Sequence, residues 1–265
     1  MRKTPVFSIL FGRSNPSIIY SVFVLFFIYL LCYLLFSILQ GNVIGRDASR
    51  YVELADSAQK DYFLQVKNKD ELAPPLLVMM MIHSYHFFGI PSLKSGLVIN
   101  LICGAMCSVF VFTGCWILSR NYFLSVLSSL FYFLIPGIRD ISIDILRDAP
   151  SLCLNLLAIN LFILFLKKRS IKHIWLCGCV IAISLGFRLE NLEFFLIFIV
   201  LCIYYSICSK ADLTYSIKSI GRNIVVLCSG FFIGLIIFFF LCFRSDFFTI
   251  DMMSMVYQNY ISMLL

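Results

Sequence analysis

The residues of this chain best suited to chemistry are acidic and basic side chains at the edges of long apolar runs. They form three groups: Arg46, Asp47 and Arg50; Asp140, Asp144, Arg147 and Asp148; and Arg188 and Glu190. Charged side chains inside or beside a bilayer are costly and are seldom kept without a role. A carboxylate can deprotonate a hydroxyl group, and a guanidinium can hold the oxygens of a phosphate. The pattern therefore predicts a polar site at a membrane surface.

Asp47 precedes a predicted amphipathic helix over residues 48–60. Apolar side chains recur there at helical spacing, namely Ala48, Tyr51, Leu54, Ala55 and Ala58. Such a helix is typical of a segment that lies on a membrane surface. Two roles are open for Asp47, which either caps this helix or is a catalytic carboxylate. The two are compatible, because a capping carboxylate is held in a fixed position.

The second group, from Asp140 to Asp148, is predicted to share one face of a helix, and Ser151 and Asn155 continue this polar stripe into the following apolar run. A polar stripe in an apolar helix must face the interior of a bundle or water. The group is therefore either an ion-pair cluster that fixes helix packing, or a polar site in which Arg147 holds phosphate oxygens.

Two further segments leave their roles open. Arg188 and Glu190 lie between two apolar runs, either in a solvated turn or as the source of a second cation for a phosphate. His83 and His86 lack a nearby Cys or a paired carboxylate, so they give only a weak metal signal, and packing at the membrane interface is the simpler interpretation. A divalent metal is not indicated, and we expect no cofactor.

The composition predicts an all-α polytopic membrane protein. The chain is 61% hydrophobic and 13% charged, whereas soluble domains carry about 25% charged residues. Its net charge of +7 is attributed to membrane topology and contact with anionic lipids, and no nucleic-acid-binding pattern is present. The 11 cysteines lie in or beside apolar runs and are interpreted as small apolar side chains. Runs of a length that could span a bilayer are 17–39, 95–118, 122–137, 149–166, 174–187, 192–208 and 224–242, with a shorter run at 75–90.

The distribution of Lys and Arg predicts which segments share a side of the membrane. The N-terminal basic residues and the run 167–172 should both be cytoplasmic. An even number of crossings must separate them, so one apolar run between them does not cross. We assign this role to 75–90 as a re-entrant helix; alternatively it crosses and one of the next two runs does not. All acidic residues except Asp212 then fall on the external side.

This topology divides the chain into three parts. Residues 1–16 form a cytoplasmic N-terminus, residues 17–242 form the transmembrane module of about seven or eight helices, and residues 243–265 form an external or interfacial tail. The module includes a long external loop, 40–74, with the short amphipathic helix. The segments around Asp140–Asp148 and Arg188–Glu190 are external as well.

Four motifs carry a resemblance to a known family. They are Gly45-x-Asp47-Ala48-x-x-Tyr51 after the first span, Pro74-Pro75-Leu76 followed by Phe88-Gly89, Leu146-Arg147-Asp148-Ala149-Pro150, and Gly186-Phe187-Arg188-Leu189-Glu190. In order and spacing the chain resembles the N-terminal core of bacterial GT-C-fold glycosyltransferases related to protein O-mannosyltransferases and lipid A aminoarabinose transferases. Such enzymes are usually longer, so we expect either a short member or a truncated one.

The resemblance implies an inverting transfer of a sugar from a polyprenyl-phosphate donor to a hydroxyl of a lipid, glycan or protein on the non-cytoplasmic face of a bacterial inner membrane. It gives Asp47 the role of general base. Binding of substrate or phosphate falls to Arg46, Arg50, Asp140, Asp144, Arg147, Asp148, Arg188 and Glu190, without a metal. Two alternatives remain: a transporter or flippase for a lipid-linked anionic substrate, and a non-catalytic membrane remnant of the family.

Overall fold

The computed structural model describes residues 16–40, 45–60, 75–208 and 213–243, and throughout these ranges the secondary structure is helical. The helices are α1 Pro16–Leu39, α2 Arg46–Lys60, α3 Pro75–Phe88, α4 Ser92–Ser119, α5 Tyr122–Leu134, α6 Pro136–Ile143, α7 Asp148–Lys168, α8 Ile171–Ser184, α9 Leu192–Cys208 and α10 Leu213–Phe243, with a 3-10 turn at Leu189–Asn191. The predicted cytoplasmic N-terminus, the rest of the external loop and the C-terminal tail lie outside the described residues.

Apolar composition and length make several of these helices able to cross a membrane. Four qualify singly: Ile18–Leu39, Ser92–Ser119, Asp148–Lys168 and Ser219–Phe238. The pair α5 and α6 is a fifth if it is one span, although it is bent by 69°. The bend lies at Pro136, which has no N–H for the helix ladder and holds the preceding Ile135 in an extended conformation (ψ 115°). The protein is thus a helical membrane protein, and the predicted single span at 122–137 is broken.

Helices α4 and α7 run parallel through the centre and define the two ends of the bundle. Three side chains join them in sequence order: Asn100 donates to the Leu146 carbonyl, Asn160 to the Phe110 carbonyl, and Lys167 to the Leu118 carbonyl. At the last of these contacts both helices end on an arginine in the left-handed conformation, Arg120 (φ 55°) and Arg169 (φ 51°). We call this the basic end, and the opposite end, where α7 begins, the site end.

Helices α8 and α10 also run parallel, and glycines hold them at unusually close range. A Cβ at Gly230 would lie 2.1 Å from the Trp175 carbonyl oxygen, and one at Gly178 would lie 2.3 Å from the Leu227 carbonyl oxygen. Small residues that let backbones touch are typical of helix pairs in membranes, where packing replaces the hydrophobic effect. The Gly230-x-x-x-Gly234 spacing is the sequence signal of this contact.

Helices α2 and α3 cover the site end. The buried side chains of α2, including Ala48 and Tyr51, pack on α3, as predicted for an amphipathic helix over 48–60. Helix α3 begins at Pro75, and the Leu76 N–H donates to the Gly186 carbonyl at 3.2 Å. After α3 the chain turns at Gly89 (φ 65°) into the start of α4. Both ends of α3 therefore lie at the site end of the bundle.

Candidate functional site

The start of α2 is docked against Asp144. The Gly45 N–H lies 3.4 Å from Asp144 Oδ1, and a Cβ at Gly45 would lie only 2.5 Å from Asp144 Oδ2. A side chain at position 45 therefore requires the Asp144 carboxylate or the start of α2 to move. The helix begins at Arg46, two residues before the predicted start at 48, so Asp47 lies exposed within the first turn and the predicted capping role is wrong. A carboxylate there is favoured by the helix dipole.

Asp144 ends α6 rather than continuing a helix. It adopts an extended conformation (φ −103°, ψ 163°), and its Oδ1 accepts a hydrogen bond from the Ile145 N–H at 2.7 Å. The prediction that Asp140, Asp144, Arg147 and Asp148 share one helical face is therefore wrong. An Asp side chain that bonds to the neighbouring backbone competes with the helix ladder and favours a turn.

A buried asparagine holds the turn that carries Arg147. The Asn100 carboxamide donates to the carbonyls of Asp144 and Leu146, the second at 2.8 Å. Arg147 itself is half-buried at the start of α7, and within the described residues it forms no ion pair inside 4 Å. Sequence reasoning does not single out Asn100. Its signal is a lone carboxamide in an apolar run, but its contacts with residues more than forty positions away cannot be read from the sequence.

Arg188 reaches back to the first residue of α7. Its guanidinium forms an ion pair with Asp148, and its Nε lies 3.5 Å from Glu190 Oε2. Burial acts to lower the pKa of Arg188, but Asp148 and Glu190 outweigh it, so the pKa is raised. Burial acts to raise the pKa of Glu190, but the backbone N–H of Glu190 and the Arg188 guanidinium reverse this, so the pKa is lowered. Both residues of the pair therefore remain charged at neutral pH.

Tyr51 marks the point at which the three groups meet. Burial raises the pKa of its phenol, which also feels the opposing charges of Arg147, Asp47, Asp148 and Arg188. These four residues come from segments up to 141 positions apart in the chain, counted from Asp47 to Arg188. We call Asp47, Tyr51, Arg147, Asp148, Arg188 and Glu190 the charged cluster. The phenol stays protonated at neutral pH and is available as a donor.

Below the charged cluster a buried polar network enters the bundle. Ser151 and Asn155 of α7 are buried, as predicted for a polar stripe that faces the interior. Both bond to Asn191, with Asn155 Nδ2 at 2.8 Å and Ser151 Oγ at 3.2 Å from Asn191 Oδ1. Asn191 is not among the site residues predicted from the sequence. Its signal is an amide that follows Arg188 and Glu190 at the entrance of an apolar run.

Some predicted site residues lie apart from the cluster. Asp140 is exposed and pairs with Arg139 at 3.5 Å, and the Arg139 guanidinium lies 5.0 Å from the centre of the Phe36 ring. Arg50 is exposed on α2, and the Arg46 side chain lies outside the described part of the structure. Asp144 serves the backbone of the loop rather than the open cluster.

The two histidines of α3 are exposed and do not join the cluster. His83 Nδ1 lies 2.8 Å from the Met79 carbonyl oxygen, and its ring stacks on Phe87. The His86 ring meets Tyr85 edge to face. Across the described ranges no set of three or more His, Cys, Asp or Glu side chains is placed to hold a metal ion. The nine cysteines that the structure describes are free thiols.

Comparison of the chain with family models, with curated proteins and with solved structures gives no match.

The geometry of the cluster suits the binding of an anion next to a base. Arg147 is a half-buried cation whose charge is not neutralised by a direct partner among the described residues. It stands at the N-terminus of α7, where the helix dipole adds to its positive potential. Asp47 lies on α2, one turn before Tyr51, whose phenol feels the charges of both Asp47 and Arg147. An anionic group held by Arg147 would therefore lie near a carboxylate that can accept a proton.

Proposed function

We propose that the protein is a membrane glycosyltransferase that moves a sugar from a polyprenyl-phosphate donor to an acceptor hydroxyl on the non-cytoplasmic face. The observation that carries the proposal is the charged cluster at one end of an apolar bundle. Tyr51, one turn after Asp47, packs in one buried cluster with Ile145 and Phe187, which adjoin Arg147 and the Arg188–Asp148 ion pair. An arginine without an ion-pair partner among the described residues, close to a carboxylate, fits a substrate with a phosphate leaving group and a nucleophile that must lose a proton.

In this mechanism Arg147 binds the phosphate of the donor. Arg188 adds a second guanidinium whose position is fixed by Asp148 and Glu190. Asp47 takes the proton of the acceptor hydroxyl as its oxygen bonds to the anomeric carbon. The bond from that carbon to the phosphate oxygen breaks, and the electron pair leaves with the polyprenyl phosphate, which the arginines stabilise. A single displacement inverts the anomeric carbon.

The arrangement of helices supports a GT-C-like topology with seven crossings. Seven elements each run between the basic end and the site end: α1, α4, α7, α8, α9, α10 and the bent pair α5–α6. Helix α3 starts and ends at the site end, which supports our proposal that it does not cross. The basic end carries Lys167, Lys168, Arg169 and Arg120, so we place that end, with the start of α1, in the cytoplasm. The membrane would be a bacterial inner membrane.

Activity of the full chain in lipid nanodiscs tests the proposal. A panel of polyprenyl-phosphate sugars is supplied with hydroxyl acceptors, and mass spectrometry follows the release of polyprenyl phosphate and the glycosylated product. We expect Asp47→Asn to lower the rate by about a hundredfold or more, because general-base catalysis is worth ~10²–10⁴. Asp56→Asn is the matched control. It removes an exposed carboxylate from the opposite face of the same helix.

The outcomes separate the alternatives. Equal loss of rate in the Asp47→Asn and Asp56→Asn variants would show that Asp47 is not the base. Transport of a fluorescent polyprenyl-phosphate lipid between leaflets, without sugar transfer, would identify a flippase. Neither transfer nor transport, in a protein that remains folded by size-exclusion chromatography, would identify a non-catalytic remnant.

A further inference from the structure

We propose that Asn191 is a positioning residue, whose buried carboxamide fixes the turn after α8 against α7 and thereby sets where the Arg188 guanidinium stands beside Asp148. Its consequence for phosphate binding rests on the proposed function. The placement of Arg188 does not, because it follows from contacts within the chain.

Asn191 is bonded on both sides of its carboxamide. Only 3% of the residue is exposed. Its Nδ2 donates to the Ser184 carbonyl at 2.8 Å and to Ser151 Oγ at 2.9 Å. Its Oδ1 accepts from Asn155 Nδ2 at 2.8 Å. One side chain therefore ties the end of α8 to two successive turns of α7.

These bonds act on both partners of the Arg188–Asp148 ion pair. On the turn, the Asn191 N–H donates to the Arg188 carbonyl at 3.2 Å, and the Arg188 N–H donates to the same Ser184 carbonyl that Asn191 Nδ2 binds. On α7, Ser151 lies three residues after Asp148 and therefore one turn below it on the same face. Moving Asn191 would shift Arg188 relative to Asp148.

The polar character of position 191 is not explained by burial alone. A leucine of similar size would bury more apolar surface at lower cost in this environment. The carboxamide brings directional bonds instead, and a buried polar network specifies one arrangement of the elements that it joins. Asn155 Oδ1 stays buried without a hydrogen-bond partner, which adds to the cost of the network. In return, the network fixes the geometry of the turn that carries Arg188.

The first test measures Arg188 directly, without a ligand. The full chain in nanodiscs is treated with 4-hydroxyphenylglyoxal, and mass spectrometry gives the modification rate of each arginine. The Arg188 side chain is 36% exposed but ion-paired, so its rate is expected to be below that of Arg147, which has no ion-pair partner in the part of the chain that the structure describes. In Asn191→Leu we expect the Arg188 rate to rise about fivefold, the change that corresponds to the loss of one hydrogen bond. The Arg147 rate should stay unchanged.

Asn160→Leu is the matched control. Asn160 is also buried on α7, and its Nδ2 donates to the Phe110 carbonyl at 2.8 Å and to Thr113 Oγ1 at 2.9 Å. Its loss removes two buried side-chain hydrogen bonds of α7 far from the charged cluster. The control should leave the rates of both arginines unchanged. An unchanged Arg188 rate in Asn191→Leu, or the same increase in both variants, overturns the proposal.

The second test asks whether the placement matters for phosphate binding. Geranylgeranyl phosphate is titrated into wild-type protein, Asn191→Leu, Arg188→Gln and the double variant. We expect each single variant to weaken binding about fivefold. The affinity of the double variant should stay within about twofold of that of Arg188→Gln, because the effects of two substitutions at coupled residues do not add. Additive losses would overturn the proposal. If the wild-type protein does not bind the probe, the proposed function fails, and the arginine rates alone decide the placement.

Discussion

Replacing Gly230 by alanine tests the glycine contact between α8 and α10. A Cβ at this position would lie 2.1 Å from the Trp175 carbonyl oxygen, which is backbone and cannot rotate away. A carbon and a carbonyl oxygen normally approach to about 3.3 Å. The two helices must therefore separate locally by about 1 Å, and overpacking of this kind costs about 1–3 kcal/mol.

Gly221→Ala is the matched control because it makes the same chemical change in the same helix. Nothing lies within 4 Å of a Cβ at Gly221. Alanine is the better helix former by about 0.5–1 kcal/mol, so this variant should be neutral or slightly stabilised. Because both variants share this gain in helix propensity, their difference in unfolding free energy should equal the overpacking cost, about 1–3 kcal/mol.

The assay is thermal unfolding of purified protein in one mild detergent, followed by the loss of the monodisperse peak in size-exclusion chromatography. We expect Gly230→Ala to lose the peak several degrees below the wild-type protein and Gly221→Ala to lose it at or above the wild-type temperature. If Gly230→Ala is as stable as the wild-type protein, α8 and α10 are not in backbone contact, and the parallel packing described above is wrong.

Two further predictions concern the site end. Because the pKa of Glu190 is lower in the folded protein than its ordinary value of 4.5, its pairing with Arg188 contributes stability above that pH and loses it as the pH falls through the folded-state pKa. Glu190 is 44% exposed, so the pairing should contribute at most about 1 kcal/mol to the free energy of unfolding at pH 7. The unfolding temperature of Glu190→Gln should therefore lie slightly below that of the wild type at pH 7, and the difference should vanish in acid. Gly45→Ala should displace the start of α2 from Asp144 and lower sugar transfer about tenfold or more, since small misplacements of a base are costly, while a normal rate would place Asp47 outside the site.

Hydropathy predicts much of the helical framework. The predicted runs 17–39 and 149–166 agree with α1 and α7 to within a few residues, because a long apolar run has few alternatives to a helix in a membrane. The break at Pro136 was open to prediction from its chemistry, but the 69° bend was not. Helix α8 covers only 14 residues, and its fit to the bundle depends on Gly178 and Gly230, a contact between positions that no local pattern links.

The site could be predicted only in part. Composition and charge distribution select Asp47, Arg147, Asp148 and Arg188, and the structure brings all of them to Tyr51. The helical face assumed for Asp140 and Asp144 fails because Asp144 binds the backbone of its own turn. This local hydrogen bond ends the helix at Asp144, and a prediction from residue spacing alone does not take such a bond into account.

The supporting residues could not be predicted, because their partners are distant in sequence. Asn100 meets carbonyls 44 and 46 positions away, and Asn191 meets Ser151 at a separation of 40. An isolated amide in an apolar run indicates that some polar partner exists. Which carbonyl it binds depends on the register of α4 against α7, and that register is set by packing along their whole length.

The long separation within the Arg188–Asp148 ion pair has a consequence for biosynthesis. The two residues are 40 positions apart, and the contact of Gly45 with Asp144 spans 99. Chains are inserted into membranes in sequence order as they leave the ribosome, so Asp148 enters before the guanidinium that neutralises it has been made. Until α8 has been inserted and the turn that carries Arg188 has folded, the Asp148 carboxylate at the start of α7 lacks its ion-pair partner. A nascent chain halted before Arg188 would hold the segments of α1 to α8 but lack α9, α10 and the completed charged cluster, so the cluster forms only after Arg188 has been made.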